Sequence, residues 1–135
     1  MGLLFFSTPS DKTGKAIMQA IKTQLPDESV DFCATASSLS LKLSEHRNDA
    51  KLAILVPTDE EELIDIYSMK KLFNRVPTML VLPNRDRFVE AMGYRLRPRL
   101  ICYRDTRVIE AVSELRNIVK SLHSLKVDSI PNLSK

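Results

Sequence analysis

The sequence predicts a three-layer α/β domain built on a doubly wound, five-stranded parallel sheet with the strand order 2-1-3-4-5. Short apolar runs alternate with segments of helical periodicity along the whole chain. The apolar runs are nearly continuous, which is typical of strands buried on both faces of a parallel sheet. The length of 135 residues suits a single domain with one core. In this strand order a ligand crevice lies outside the carboxyl ends of strands one and three.

Five apolar runs are predicted as strands. The first, "LLFFS", follows Gly2, and the third, "KLAILV", contains five apolar residues in a row. This third run stops at Pro57, so its carboxyl end presents Val56, Pro57 and Thr58. The predicted strands cover residues 3–7, 29–35, 51–56, 76–83 and 99–103.

Apolar residues that recur at three- and four-residue steps predict helices between these strands. In the first helix, Ile17 and Ile21 lie on one face. Ser10 or Asp11 can cap its start, and Pro26 ends it. The predicted helices cover residues 11–25, 37–47, 59–73, 84–93 and 105–125.

The later helices carry their own start and stop signals. The acids from Asp59 to Glu62 suit the positive end of the third helix dipole. Gly93 is predicted to close the fourth helix as a C-terminal cap. The second helix has alternating leucines, which would also suit a strand. Residues 1–124 are predicted to form one domain, and residues 125–135 a flexible tail.

Composition and cysteine spacing exclude several classes of protein. Hydrophobic residues make up 44% of the chain and charged residues 27%, as in ordinary soluble domains. No apolar run approaches the roughly 20 residues needed to cross a bilayer, and the amino-terminal run is too short for a signal peptide. We therefore expect a cytoplasmic protein without membrane contact. Cys33 and Cys102 have no metal or redox spacing and are predicted to be buried, reduced thiols.

The second half of the chain carries a family pattern. Its segment "VPTMLVLPNRDRFVEAMGYRLRPRLICYRD" reads as a strand, a short helix, a turn and a further strand. In this respect the sequence resembles the receiver domain of two-component response regulators, over roughly residues 3–124. The resemblance rests on pattern and spacing, and it implies the receiver fold and a place in bacterial signalling.

The resemblance also implies a set of phosphorylation residues, which this sequence lacks. Receivers hold magnesium with two acids after strand one, where Ser7 and Thr8 stand. They place the phosphoacceptor aspartate at the end of strand three, where Val56 or Pro57 stands. Without the carboxylates there is no oxygen site for Mg²⁺, and without the acceptor nothing attacks a phosphoryl group. We therefore expect no bound metal and no catalytic residue.

The remaining receiver positions differ in the same way. The switch hydroxyl residue that ends strand four falls at Leu82, and the lysine that ends strand five falls at Tyr103 or Arg104. Asp59 lies two or three residues beyond the acceptor position and is predicted to cap the third helix. The sequence thus predicts a receiver-like fold from which the phosphorylation site has been removed.

The loop after strand one supports an alternative. The segment "FFSTPSDKTGKAI" resembles the start of a flavodoxin, where a hydroxyl-rich loop wraps the phosphate of FMN. Thr8, Ser10 and Thr13 would supply hydroxyls, and the helix start would supply N–H groups. Flavodoxins also sandwich the flavin between aromatic residues, which the later loops of this chain lack. We expect no cofactor, and the alternative is FMN or another phosphate-bearing ligand at residues 7–15.

Other catalytic patterns are incomplete. The stretch from Thr13 to Lys15 half-resembles a Walker A loop, but the opening glycine is absent and Ala16 replaces the Ser or Thr. His46 and His123 both lie on predicted helices, where surface histidines are expected. These patterns therefore indicate a protein that is not an enzyme.

Positive charge is concentrated in the last part of the chain. Residues 1–83 hold 9 Lys/Arg and 11 Asp/Glu, whereas residues 84–135 hold 11 and 6. Seven arginines fall between Arg85 and Arg107, interleaved with aromatic residues. Arginine suits bidentate contacts to carboxylate or phosphate and is enriched in interface hot spots.

In receivers this arginine-rich segment would form the face of helix 4, strand 5 and helix 5, through which receivers commonly dimerise or dock partners. We therefore expect a protein partner or a homodimer contact there, and the predicted binding residues are Arg95, Arg97, Arg99, Tyr103, Arg104 and Arg107. Local pairs with Asp86, Glu90 and Asp105 would instead leave a solvated basic face. Nucleic acid is not favoured, because the pI is 8.9 and no binding motif is present. The sequence thus predicts a non-catalytic, receiver-like signalling or regulatory domain that acts through protein–protein interaction without aspartate phosphorylation.

Overall fold

The computed structural model describes residues 2–45, 50–74 and 76–133, with side chains described through Leu122. The predictions for His46 and for the side chain of His123 lie outside these described parts. Within them the chain forms five strands, which are β1 (Leu3–Ser7), β2 (Val30–Cys33), β3 (Leu52–Val56), β4 (Thr78–Leu82) and β5 (Leu100–Tyr103). All four strand pairs are parallel, and the order is β2-β1-β3-β4-β5. The predicted sheet and its order are therefore confirmed.

Helices cover the sheet on both faces, as buried parallel strands require. They are α1 (Lys12–Gln24), α2 (Ala36–Ser44), α3 (Glu60–Ser68), α4 (Arg87–Arg95) and α5 (Val108–Leu133). Helices α1 and α5 pack together on one face of the sheet, and α2, α3 and α4 cover the other. The molecule thus has the predicted three layers.

Alternating side chains of the strands fill a separate core on each face. Phe5 and Ile54 point towards α1 and α5, whereas Phe6 and Leu55 point towards the other three helices. Every residue of β1, β3 and β4 is buried. Each large side chain buried in this way contributes about 1.5–3 kcal/mol, so these three strands fix the frame on which the loops are placed.

Side-chain caps set the starts of the helices. Asp11 caps α1 and Asp59 caps α3, each by accepting a hydrogen bond from a backbone N–H of the first turn. Both predictions are confirmed. Thr35 caps α2 in the same way, and Leu39 and Leu43 are buried one turn apart. The segment with alternating leucines is therefore a helix.

The predicted end of α4 is wrong. Gly93 does not terminate this helix, which continues to Arg95 and ends in a turn where Arg97 has a positive φ of 52°. Gly93 lies on the buried side of α4, where an added Cβ would stand 2.7 Å from Leu82 Cδ2. The glycine therefore permits the close approach of α4 to β4, and a non-glycine residue occupies the left-handed position at the helix end.

Two further helix ends differ from the pattern in the sequence. The segment predicted as one helix after β3 divides into α3 and a short 3-10 helix, Lys70–Phe73. Helix α5 runs through Leu133, past its predicted end at residue 125. The flexibility proposed for the tail at 125–135 stays a prediction.

The two cysteines are free and buried, on β2 and β5 at opposite edges of the sheet. Their separation on the outer strands excludes a bridge between Cys33 and Cys102, and their predicted burial is confirmed. Within the described residues, no helix combines the length and apolar character that a membrane span requires.

Candidate functional site

The carboxyl ends of the strands meet at one edge of the sheet, where the predicted phosphorylation-site positions lie. Ser7 and Val56 end β1 and β3, and the two residues are in register and buried. Leu82 ends β4 and is likewise buried. The chain directions of the strands bring residues from three separate loops together at this edge. We call the surface that they form the crevice, and its residues are Ser7, Thr8, Asp11, Pro57, Thr58, Glu62 and Arg104.

A buried ion pair crosses the crevice. The carboxylate of Asp11, at the start of α1, is only 4% exposed, and the guanidinium of Arg104 that faces it is 22% exposed. Both terminal nitrogens of Arg104 donate to the two carboxylate oxygens of Asp11, with 3.1 Å between Nη1 and Oδ2. Arg104 Nη1 also donates to the backbone carbonyl of Pro57, at 3.2 Å. One arginine from the loop after β5 therefore ties together the loops after β1 and β3.

A second carboxylate closes the crevice between β1 and β3. Thr8 Oγ1 donates to Glu62 Oε2 at 2.7 Å, and the backbone N–H of Thr58 donates to Glu62 Oε1 at 2.7 Å. The hydroxyls of Thr58 and Thr8 lie 3.4 Å apart. Glu62 thus joins both loops from its place in the first turn of α3, and both of its oxygens are used.

Helix α1 packs closely on the end of β1. A Cβ added to Gly14 would lie 1.8 Å from Ser7 Oγ and 2.7 Å from Ser7 Cβ. Only a residue without a side chain allows this approach, which also brings the carboxylate of Asp11 over the sheet. The glycine in the half-matched Walker A stretch therefore has a packing role.

These contacts define what the crevice can do chemically. Both of its carboxylates already accept hydrogen bonds, and one of them is neutralised by a guanidinium. In the part of the chain that the structure describes, no three His, Cys, Asp or Glu side chains come together as a metal ion would require. The crevice offers hydroxyls and an ion pair, and the carboxylate oxygens of Asp11 and Glu62 are already engaged.

A pocket of about 410 Å³ lies beside the crevice, between α1 and β2. It is lined by the loop residues Ser7 and Thr8, by Lys15 and Lys22 of α1, and by Phe32, which is 46% exposed. This is the neighbourhood of the 7–15 loop. The start of α1 is already occupied there, because the N–H of Thr13 donates to the Asp11 carboxylate at 3.3 Å.

Tyr103 is fixed by Glu90 of α4 and by Arg85 of the loop before that helix. Its hydroxyl donates to Glu90 Oε2 at 2.7 Å, and the guanidinium of Arg85 stacks on its ring, 3.8 Å from the centroid. Arg85 also pairs with Asp105, at 2.9 Å between Nη2 and Oδ1. The hydrogen bond to Glu90 and then desolvation raise the pKa of Tyr103 to about 12. Tyr103 therefore joins β5 to α4.

A groove of about 610 Å³ lies at the opposite edge of the sheet, where β4 and β5 begin. Five exposed cations line it together with the apolar residues Val76 and Leu96. We call it the basic groove, and its cations are Lys70, Lys71, Arg95, Arg97 and Arg99. The 3-10 helix after α3, the end of α4 and the start of β5 bring these side chains together.

The predicted binding residues thus fall in four places rather than on one face. Arg95, Arg97 and Arg99 line the basic groove, and Arg104 is half-buried in the crevice. Tyr103 is held by Glu90, as described above. The last one, Arg107, is exposed, and its Nη1 lies 3.8 Å from Glu110 Oε1 within the same helical turn.

Sequence reasoning missed the residues that complete these sites. Asp11 and Glu62 entered only as helix-start acids, and neither Lys70 nor Lys71 was named as a binding residue. The strand order held the missing signal for Asp11. All five strands are parallel, so the loops after β1 and β5 open on the same edge of the sheet, which places Asp11 and Arg104 at that edge.

No protein-family model matches the chain, and no curated protein matches it. Solved structures do match in fold. A response regulator receiver domain protein (CheY-like) from Methanospirillum hungatei JF-1 superposes with a TM-score of 0.67 at 12% identity, over 92% of this chain and 98% of that one. A two-component response regulator from Legionella pneumophila gives 0.68 at 11% identity, over 90% and 99% of the two chains.

A third structure agrees. The phosphorylated cyanobacterial phytochrome response regulator RcpA gives a TM-score of 0.54 at 16% identity, over 95% of each chain. Likenesses at such low identity establish architecture alone. The strand order, the helices on both faces and these superpositions together show that the chain has the flavodoxin-like fold of CheY-like receiver domains.

Proposed function

We propose that the chain is a non-catalytic regulatory domain of the receiver type, which binds a partner protein and is not phosphorylated on aspartate. The observation that carries the proposal is the state of the carboxylates at the crevice. Asp11 is paired with Arg104, and both oxygens of Glu62 accept hydrogen bonds. β3 ends in Val56, followed by Pro57, and neither side chain can accept a phosphoryl group.

The charge balance supports the same proposal. A divalent cation at a receiver crevice neutralises carboxylates, and here the guanidinium of Arg104 already neutralises Asp11 through two hydrogen bonds. Binding Mg²⁺ would require the displacement of Arg104 from the buried carboxylate of Asp11, which costs several kcal/mol. The proposed regulatory output therefore depends on what binds the surface of the domain.

Exposure to a small phosphodonor tests the proposal directly. The protein is incubated with acetyl phosphate and Mg²⁺ beside a receiver that has an acceptor aspartate, and intact masses are measured. We expect the control receiver to gain a phosphoryl group and this chain to gain none. A stoichiometric adduct that hydroxylamine removes would overturn the proposal, and Asp11→Asn, Asp59→Asn and Glu62→Gln variants would then locate it.

A second candidate function has one observation in its favour. The pocket beside the 7–15 loop carries Lys15 and Lys22 and the exposed ring of Phe32, which suit a small phosphate-bearing ligand such as FMN. Against it, the Asp11 carboxylate occupies the start of α1, where a phosphate would otherwise bind. We expect a colourless protein and only weak quenching in a flavin fluorescence titration. Saturable quenching at low-micromolar FMN would favour the ligand-binding function instead.

A further inference from the structure

The basic groove concentrates unpaired positive charge at one end of the molecule. Its five cations are exposed, and within the described residues none of them lies within 4.0 Å of a carboxylate oxygen. Elsewhere on the surface, the side chains of Lys51, Arg85 and Arg107 do reach carboxylates. Within the described residues, the positive charge of the groove is therefore not neutralised by acidic side chains.

Two of the groove cations, Lys70 and Arg95, interact with the same neighbouring side chain, that of Tyr67. Lys70 Nζ donates to the hydroxyl of Tyr67 at 3.3 Å and lies 4.8 Å from the centroid of its ring. The hydrogen bond from Lys70, followed by that from Arg95, lowers the pKa of Tyr67 from its ordinary value of 10.0. Lys70 of the 3-10 helix and Arg95 of α4 thus place their positive charges beside the same residue of α3.

Arg97 supplies a separate observation. It has a φ of 52°, in the left-handed region where glycine is the usual residue after a helix. An arginine there costs conformational free energy that a glycine would not. A residue held in such a conformation at a groove points to a use for its side chain, because nothing in the local turn requires a guanidinium.

The groove does not suit a second copy of this chain or a nucleic acid. A symmetric contact between two copies centred on the groove would place these cations opposite each other, which is repulsive. A nucleobase has no stacking platform, because the aromatic ring that lines the groove in the described structure, that of Phe73, is 7% exposed. A long polyanion would also extend onto the remainder of the chain, where residues 1–83 have 11 acids against 9 basic residues.

From these observations we infer that the basic groove binds a short acidic segment of a partner protein, with Arg95, Arg97 and Arg99 donating paired hydrogen bonds to its carboxylates. The groove volume of about 610 Å³ lies within the range of specific binding sites, about 300–1,000 Å³. The apolar side chains of Val76 and Leu96 in its wall would contact the stems of the acidic residues. This inference rests on the proposed function, since it names the chemistry of the partner.

A fluorescein-labelled octaglutamate peptide tests the groove in the full chain. In the test variant, Arg95→Gln, Arg97→Asn and Arg99→Gln are combined, because asparagine tolerates the left-handed conformation. The matched control variant combines three changes at exposed cations outside the groove, which are Lys12→Gln, Arg87→Gln and Lys120→Gln. Both variants lower the formal net charge by the same amount, from +3 to 0.

We expect anisotropy titrations to show saturable binding by the natural chain, weaker at higher salt. The test variant should bind about tenfold more weakly or worse, and the control within about twofold of the natural chain. A variant with lysine at all three arginine positions should fall between them, because lysine keeps the charge and loses the paired geometry. Circular dichroism of each variant checks that the fold is retained.

Two outcomes would overturn the inference. Equal loss in the test and control variants would show a general charge effect. Absence of octaglutamate binding would exclude carboxylate recognition, and tighter groove-dependent binding of a labelled dT octamer would assign the groove to nucleic acid. Neither result bears on phosphorylation, so an unmodified mass with acetyl phosphate would leave that part of the proposed function in place.

Discussion

At the scale of single residues, the ion pair between Asp11 and Arg104 is the main electrostatic feature of the crevice. A carboxylate that is only 4% exposed is costly unless it is paired and hydrogen-bonded. Arg104 provides both the charge and two donors, and its third hydrogen bond, to Pro57, fixes the direction of the guanidinium. The pair therefore has a structural role that an exposed surface arginine would not have.

Removal of one partner should leave the other carrying a buried charge. We expect Arg104→Ala to lower the free energy of unfolding by about 3 kcal/mol, since Asp11 would lose its counter-ion. Arg107→Ala is the control, because its side chain is 77% exposed and should change stability by about 0.5 kcal/mol or less. Urea denaturation of the two variants measures the difference, and equal effects would mean that the Asp11–Arg104 pair contributes little.

Tyr103 gives a prediction in alkaline solution. Its pKa in the folded protein, about 12, lies above the ordinary value of 10.0, because Glu90 accepts its proton in a hydrogen bond. The folded state therefore holds this proton more tightly than the unfolded state, and the resulting stabilisation is complete below pH 10. It is lost as the pH rises from 10 to about 12.

Tyrosinate absorbance in the near ultraviolet follows this titration. We expect one of the three tyrosines to ionise last, with an apparent pKa near 12, in the natural chain. Glu90→Gln should move that step down towards 10.0, whereas Glu110→Gln, which removes an acid beside Arg107, should not. If all three tyrosines titrate together in the natural chain, the hydrogen bond does not hold the phenol as described.

At the scale of secondary-structure elements, the contact between α1 and β1 depends on Gly14. A glycine in a helix normally costs about 1 kcal/mol relative to alanine, so replacement would ordinarily stabilise the protein. Here a Cβ would overlap the side chain of Ser7 on a fully buried strand. We expect Gly14→Ala to destabilise the fold by about 1–3 kcal/mol, because α1 must move away from the sheet.

A double-mutant cycle separates this clash from other effects. Ser7→Gly removes both Ser7 atoms that a Cβ at residue 14 would overlap, so it makes room for the alanine. The cost of Gly14→Ala should therefore be smaller in the Ser7→Gly background, by about 1 kcal/mol or more. Additive effects in denaturant melts would show that Gly14 is required for some other reason.

Element boundaries were predictable where a residue interacts only with its own segment. The acid Asp59 caps α3 through a backbone N–H three residues away, a relation that the sequence displays directly. The helix end predicted at Gly93 was wrong because a glycine near a helix end commonly terminates it, and its true neighbours, Leu80 and Leu82, belong to another element. The left-handed turn at Arg97 could not be inferred, because arginine has no preference for that conformation.

At the scale of the whole molecule, the strand order places the two thiols on opposite edges of the sheet. Cys33 and Cys102 are both buried, and desolvation raises the pKa of each above the ordinary 9.0. We expect both to react slowly with Ellman's reagent in mildly alkaline solution while the protein is folded. In guanidinium chloride without reductant, both thiols of each chain should react. If neither reacts, the two cysteines form a disulfide, which would contradict the strand order.

The topology was predictable from the alternation of buried runs and helices, because each run carries its own signal. The pairings at the crevice were not read from the sequence, since Arg104 and Asp11 are separated by 93 residues along the chain. An arginine in a basic segment is expected at the surface, and only the folded structure shows that Arg104 faces Asp11. Three cations of the basic groove were predicted as binding residues, because they lie close together in the sequence. The other two were missed, because they come from the 3-10 helix, which is distant in sequence.

The same separation has a consequence for biosynthesis. During translation, Asp11 emerges from the ribosome long before Arg104, and until then its carboxylate has no counter-ion and stays in water. On a nascent chain that stops short of residue 104, the turn between β1 and α1 therefore lacks the contact that stabilises its final arrangement. Ribosome-stalled chains ending before that residue should be cut by proteases near residues 8–14, and the first loop should become protected only after the last strand has been made.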